Sequence, residues 1–449
     1  MTKSFAIDLL NQLETDGVKR ICGDNFVLSE KKAREKHAYF LKNGCKVYAD
    51  EISRPEGGKY RIFEIATPEV NNALDIVRYD KATEKIARLV AQVLNTNRGI
   101  NVECYKTSIA KNLSGEGYTT RGAHESYRVR KDFKEKINLF VPFLVLRQLL
   151  CGSGGYYNHQ PVISPRQFFI EHPTSEVSVP VPMVCLRSES LSAYENYFRL
   201  QVLNGDPARS QVSTFLRFAL TSLVIECIEK GFIRAVPEIE DPVYAGRLLS
   251  ESWEAHPPIH LQNGKLISAV NYLQEFYLEA IERLAKETEW NEEKETAKKI
   301  FREVLGHLDK NNLEILSRKI EWAIKLDLFE WNFQNYFDVD PDIAFPKETA
   351  NNTYCAVTDP LFDELEEQLD IARLMNSEEI EKALFTPPLA SRGKARTEIV
   401  AHFNGYVDEI NWDFIMINGE KFKLKEDISW DSDTISNTIK EIKVRAFKK

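Results

Sequence analysis

The sequence predicts an α+β protein, and three stretches predict it. Lys46-Val47-Tyr48-Ala49-Asp50 and Tyr60-Arg61-Ile62-Phe63-Glu64-Ile65 alternate with β-branched and aromatic residues, the pattern of half-buried strands. Arg54-Pro55-Glu56-Gly57-Gly58-Lys59 between them is turn chemistry. Asp80 to Asn95 then sets Ile86, Leu89, Val90, Val93 and Leu94 on one helical face. Ser210 to Lys230 is a longer apolar helix stopped by Gly231.

The remaining elements follow in chain order. Phe5, Ile7, Leu9, Leu10 and Leu13 suggest a short helix behind Ser4. Residues 14–42 are polar, and the charge run 29–36 fits a solvated helix face. Thr67-Pro68-Glu69 ends the second strand. Asn101–Tyr105 is strand-like, and Lys111 to Gly122 is a Gly/Ser/Thr-rich loop. Asn138 to Leu150 is apolar at helical spacing and stops at Cys151-Gly152-Ser153-Gly154-Gly155. Those glycines end a helix; the alternative is a backbone approach to phosphate. Asp241-Pro242-Val243 opens a polar region with a strand at Ile259-His260-Leu261, a turn at Asn263-Gly264 and a helix from about Ser268. Helices rich in i,i+4 charge pairs fill Glu292 to Leu328. Asn411 to Ile417 reads as a strand. No internal repeat or low-complexity tract occurs.

Composition narrows the function classes. The 449 residues suffice for a large domain plus a smaller one. A net charge of −9 leaves no basic footprint for nucleic acid. Seven scattered cysteines, with no CxxC, suit a reducing cytoplasm. The eight histidines form no HExxH and no His/Cys cluster, which argues against zinc. Met1-Thr2-Lys3-Ser4 leads into an amphipathic stretch, so no signal peptide is expected. The most apolar segment, Phe215 to Ile228, is interrupted by Arg217 and Glu226 and is too short to span a bilayer. No membrane partner is expected.

The chemistry sits on the hairpin. If its strands pair, Asp50, Glu64 and Glu69 gather near one sheet end with Tyr48. Clustered carboxylates repel, and a cation, often Mg²⁺ beside phosphate, relieves them. The same spacing also fits a solvated hairpin rim. His124 beside Glu125 reads either as a structural hydrogen-bonded pair or as site lining. Arg187 and Arg199 read either as a phosphate fork or as one half of Arg–Asp pairs holding strands.

Several motifs together resemble the Pup ligase and Pup deamidase/depupylase family of glutamine-synthetase-like carboxylate–amine ligases. They are Asn43-Gly44-Cys45-Lys46-Val47-Tyr48-Ala49-Asp50, Phe63 to Glu69, and Asp75-Ile76-Val77-Arg78-Tyr79-Asp80-Lys81-Ala82. Gly122-Ala123-His124-Glu125-Ser126-Tyr127-Arg128-Val129-Arg130 is similar to the family's G-x-H-E-N-Y-L-x-x-R. Cys185-Leu186-Arg187-Ser188-Glu189 with Tyr197-Phe198-Arg199-Leu200-Gln201 and Asn204-Gly205-Asp206 resembles its N-T-R-D-E, Y-R-R-L-H and G-D block. Thr386-Pro387-Pro388, Arg392 and Arg396 resemble T-x-P-P-x-x-x-R-x-x-x-R, and Asn411-Trp412-Asp413 resembles a late S-W-D strand.

The resemblance implies a curved antiparallel sheet packed by helices, holding ATP and Mg²⁺. It implies a large domain over residues 1–396 and a small one over 397–449 that completes the nucleotide site. It implies a ligase that phosphorylates a glutamate side chain at the end of a small Pup-like protein modifier, and a protein lysine that attacks the acyl phosphate. Asp50 would be the base for that amine. Tyr48, Glu64 and Glu69 would serve the metal. Lys46, Thr67, Arg187, Arg199 and Trp412 would line the nucleotide, and His124 and Glu125 the site. The sister reaction, hydrolytic removal of such a tail, and a non-catalytic nucleotide-binding role are the alternatives.

The chain departs from the family pattern in four places. The opening G-x-E-x-E strand, a Mg²⁺ ligand source, has no counterpart ahead of Asn43, which implies a late-assigned start or a lost strand. Lys106-Thr107-Ser108-Ile109 stands for K-N-N-T-D, Glu171-His172-Pro173 for S-Q-R, and Gln201 for the histidine of Y-R-R-L-H.

Overall fold

A computed structural model describes residues 38–53, 59–98, 101–111, 117–187, 196–252, 257–330, 347–425 and 429–447. The helix expected at 5–13, the charge run at 29–36 and the turn at 54–58 lie outside the described residues. The chain divides into two compact units, residues 1–104 with 375–449, and residues 105–374.

The first unit begins with an antiparallel sheet of β1 (Ala38–Phe40), β2 (Lys46–Ser53) and β3 (Lys59–Ala66), in that order. The expected hairpin is present. Lys46 stands opposite Ala66, Tyr48 opposite Glu64 and Asp50 opposite Ile62. Strand alternation sorts the side chains onto two faces. Tyr39, Cys45, Val47, Phe63 and Ile65 pack on α1 (Ala73–Arg98) through Tyr79, Ala82, Ile86, Val90 and Leu94. Helix α1 starts earlier than its apolar stripe because the Asn72 side chain accepts from the Asp75 N–H at 2.7 Å. Phe40, Lys46, Tyr48 and Glu64 are left for the opposite face.

The turn between β1 and β2 depends on Gly44. Its φ is +86°, and a Cβ there would sit 2.9 Å from Pro68 Cβ and 3.3 Å from Gly393 Cα. Gly44→Ala is expected to cost about 1–3 kcal/mol, from left-handed backbone strain plus the clash. A thermal melt checks this.

Of residues 101–105, expected as a strand, 101–104 join no strand ladder among the described residues, and Tyr105 makes an isolated antiparallel bridge to Ala356. The Asn95 side chain instead holds Val102 through both its N–H (2.6 Å) and its carbonyl (3.2 Å).

The second unit carries a four-stranded sheet of β4 (Glu125–Arg130), β5 (His172–Ser175), β6 (Pro182–Cys185) and β7 (Tyr197–Val202). Its order is β4-β7-β6-β5, parallel only between β5 and β6. Helix α2 (Ile137–Leu146) is almost wholly buried and ends near the glycines as expected. Helix α3 (Gln211–Glu229) begins where Ser210 accepts from the Ser213 N–H at 3.3 Å. Among the described residues it alone is long and apolar enough to cross a membrane, and 83% of that window is buried inside the protein. Arg217 is accommodated in it by donating to the Asp206 carbonyl. Asp241 caps α4 (Pro242–Glu251) through the Val243 and Tyr244 N–H groups, at 3.0 and 2.9 Å. Helices α5 (Glu292–Asp309), α6 (Glu321–Glu330) and α7 (Lys347–Cys355) follow. The expected loop at 111–122 is partly a small hairpin, Ile109–Lys111 against Tyr118–Thr120.

The chain returns to the first unit with α8 (Ser377–Ala383) and α9 (Arg392–His402). A three-stranded sheet follows, β8 (Val407–Ile410), β9 (Phe414–Ile417) and β10 (Glu420–Lys423), and then α10 (Ser432–Ala446). Ile399, Phe403, Ile415, Ile417, Phe422, Trp430 and Ile442 make its core, and Phe40 of β1 joins them. The domain boundary expected at 396 falls inside α9. Trp412 lies in the β8–β9 turn and not on a strand. Asn411 accepts from the Trp412 N–H and bonds Phe414 across the turn, both at 2.9 Å.

Candidate active site

The polar face of the β2–β3 pair assembles itself from strand register. Tyr48 and Glu64 are direct cross-strand partners, and the Tyr48 hydroxyl donates to Glu64 Oε1. Lys46, two residues before Tyr48, sits among three rings. Its Nζ is 5.4 Å from the Phe40 and Tyr48 centroids and 5.7 Å from that of Trp412. Phe40 and Trp412 meet edge-on at 5.0 Å. Asp50 occupies the next position of the same parity in β2. Thr67 follows β3, half-buried. The structure therefore brings Lys46, Tyr48, Glu64 and Trp412 together in one unit.

Glu69, expected beside the metal, lies between two arginines. Arg396 forks onto both of its oxygens at 3.1 and 2.6 Å, and Arg392 reaches Oε1 at 2.9 Å. Arg396 is fully buried, donates to the Trp412 carbonyl at 2.8 Å, and lies 4.8 and 5.0 Å from the Phe40 and Trp412 rings. Burial alone would raise the Glu69 pKa, but the two guanidiniums win and hold it below the usual carboxylate value. A depressed acid pKa means the pair stabilises the fold above the unfolded glutamate value. That contribution is lost as pH falls through the lower folded value. Glu69→Gln should therefore flatten the acid limb of the stability–pH curve. Both arginines were visible in the sequence, but only as a joint between domains.

In the second unit His124 and Glu125 part company. Successive residues at the start of a strand face opposite ways. Glu125 is buried, with Arg147 bidentate on it at 2.6 and 2.9 Å and Tyr127 donating to Oε2. Arg147 is completed by Thr221 (2.8 Å) and Asn204 (3.1 Å). Gly205 is tight against this pair, since a Cβ there would sit 2.6 Å from Glu125 Oε1. Glu125 thus belongs to the core and does not line a site.

His124 is exposed on the other side, near Arg166 and Arg199. Desolvation by surrounding atoms and those two positive charges push its imidazole down to about 4, with Glu125 opposing. It is neutral at pH 7. Arg166 was missed. An S-x-R triplet is present at Ser164-Pro165-Arg166, upstream of Glu171-His172-Pro173. Ser164 donates to Asp206, the Arg166 N–H reaches Asp206 at 3.1 Å, and the guanidinium holds the Leu203 carbonyl (3.0 Å) and Thr120 (2.8 Å). Arg166 is 3% exposed and forms no ion pair among the described residues. Burial pushes it down to about 10, Asp206 opposing and Arg121 adding to the shift. Arg199, on β7 opposite Arg128, donates to Ser126 at 2.9 Å. Arg187 follows β6 by two residues and is exposed. A neutral imidazole among guanidiniums suits a phosphate or carboxylate oxygen.

Among the described residues no three His, Cys, Asp or Glu side chains gather closely enough to hold a metal ion. Glu64, a hard oxygen donor beside a phenol, fits Mg²⁺ only as a partial set completed by phosphate oxygens and water.

The fold is that of solved Pup ligases. It matches the Pup ligase PafA in complex with ADP at a TM-score of 0.76 and 21% identity, covering 98% of this chain and 94% of that one. The complex of PafA with the ubiquitin-like protein Pup matches at 0.78 and 20%, covering 98% and 88%. The Pup-ligase protein family model matches residues 14–416. The Pup–protein ligase of Mycolicibacterium gilvum is 28% identical over 396 residues, 85% of this chain and 84% of the relative. That of Actinosynnema mirum is 30% identical over 377 residues, 81% and 80%. The chain belongs to the Pup-ligase family.

Proposed function

We propose that the protein is an ATP-dependent ligase that activates a glutamate side chain on a Pup-like tail and joins it to a lysine amine of a protein. Family membership supports the reaction. The observation that carries its location is the single β2–β3 face on which Lys46, Tyr48 and Glu64 meet beside Trp412. A carboxylate becomes a competent electrophile once one oxygen leaves as phosphate, and cationic groups stabilise the charge that moves between phosphates. Lys46 supplies such a charge. Trp412 and Thr67 offer contacts to the nucleotide. Glu64, with Tyr48 fixing its carboxylate, would hold Mg²⁺, which neutralises phosphate charge when bound. Asp50 takes the proton from the incoming ammonium, without which the amine has no lone pair to attack. In the second unit Arg199, Arg187 and His124, joined by Arg166, are assigned to anionic oxygen groups of the substrates. A reducing cytoplasm suits the described cysteines, all free thiols.

The test is incubation with ATP, Mg²⁺, a tail ending in glutamate and a lysine-bearing acceptor. ADP and an isopeptide adduct are expected by mass spectrometry. Release of a tail or of ammonia without ADP would assign the hydrolytic sister reaction, and no product at all would overturn both. Trp412→Ala should raise the KM for ATP roughly tenfold with a smaller effect on kcat, the loss of an aromatic contact.

A further inference from the structure

Away from the β2–β3 face, the second unit buries an amine against a thiol. Lys325 of α6 is 2% exposed and Cys355, at the end of α7, 1%. Lys325 Nζ lies 3.2 Å from Cys355 Sγ. Its other contacts are the Gly154 carbonyl at 3.3 Å and the face of Tyr354, whose centroid is 4.9 Å away. No carboxylate lies within ion-pair distance of it among the described residues. The thiol itself is aimed at Asn351 Oδ1, one helical turn back at 4.0 Å, which leaves sulfur lone pairs towards the nitrogen. The backbone around Cys355 is pinned. Its carbonyl accepts from the Lys106 N–H at 2.8 Å, and Arg209 holds the Tyr354 and Ala356 carbonyls at 3.0 and 3.3 Å. Nitrogen and sulfur are therefore held together inside the second unit. Among the described cysteines, Cys355 is the one whose sulfur accepts from an amine.

We propose that Lys325 and Cys355 are an oxidative modification site, where one oxygen atom is inserted between sulfur and nitrogen to form a covalent S–O–N bridge. The oxidant is a peroxide. Two equivalents of hydrogen peroxide react with one thiol and one neutral amine to give the bridge and three waters. The S–H bond and one N–H bond break, S–O and O–N bonds form, and the four electrons go to the two peroxides. The proton that makes the amine an ammonium is released to solvent first. Two equivalents of a dithiol return the four electrons and restore thiol, amine and one water. A thiol alone would climb to sulfenic and sulfinic acid; the adjacent nitrogen diverts the oxygen. The bridge ties α6 to α7 and removes freedom from the unfolded chain, as any cross-link does.

The experiment treats the full chain with hydrogen peroxide, with and without later dithiothreitol, and reads intact mass and non-reduced peptides. One oxygen gained and two hydrogens lost, about 14 Da, with the peptides carrying Lys325 and Cys355 joined and separated again by dithiothreitol, is the expected result. The melting temperature of the oxidised protein should rise by roughly 5 °C. Cys355→Ser and Lys325→Arg, each checked for native circular dichroism, should abolish the joined peptide. A Cys355 that stays alkylatable, or one that gains one or two oxygens with the peptides unlinked, overturns the proposal. That result needs no variant, so a misfolded substitution does not obscure it. Ligation chemistry is not the readout, and the bridge stands or falls independently of the proposed function.

Discussion

Asp50→Asn should lower isopeptide formation by roughly 10²- to 10⁴-fold, the range a positioned general base contributes. The amide keeps the shape and removes the proton acceptor. Phosphorylation of the tail does not need that base, so ATP should still be consumed and ADP should appear without adduct. The KM for ATP should change little, because the contacts assigned to the nucleotide are Lys46, Thr67 and Trp412. Single-turnover measurement of ADP and adduct separates the two steps. Full ligation by Asp50→Asn would remove Asp50 from the chemistry. Loss of ADP formation as well would place it at the phosphoryl step.

Breaking the Glu125–Arg147 pair should have the largest effect on stability. Glu125→Gln leaves the Arg147 guanidinium, 3% exposed, without its anion. Removing one member of a buried pair costs about 3–5 kcal/mol, and a fall in melting temperature on the order of 10 °C follows for a unit of this size. The Glu125→Leu/Arg147→Met double variant should recover part of the loss, because no charge is then stranded. Thr221 and Asn204 keep the recovery incomplete, since each loses its Arg147 contact. A site-lining Glu125 would instead lower kcat and leave the melt unchanged.

How much was legible depends on range. The β2–β3 hairpin, α1 and α3 were readable because period-two and helical patterns, caps and stop glycines act over a few residues. The strand expected at 101–105 failed for a physical reason: alternation allows a strand, but a ladder needs a neighbour, and Asn95 ties Val102 instead. Trp412 was placed on a strand because apolar spacing does not reveal that Asn411 closes a turn. Arg166 does not stand out in the sequence because Ser164-Pro165-Arg166 carries no periodic signal; its burial against Asp206 and the Leu203 carbonyl sets it apart only in the fold.

By itself the sequence determined the α+β class, the family motifs, and a strand pair on which Lys46, Tyr48 and Asp50 fall at alternate positions with Glu64 on the second strand. Only the tertiary structure decided which acidic residues are spoken for. Glu69 looked like a third carboxylate of the same cluster until Arg392 and Arg396 arrived from more than three hundred residues away. Glu125 looked like a companion of His124 until Arg147 claimed it inside the core. Local patterns fix where a side chain emerges. Its role depends on the counter-charge that folding delivers, and a carboxylate already neutralised by a guanidinium has little left to give a metal.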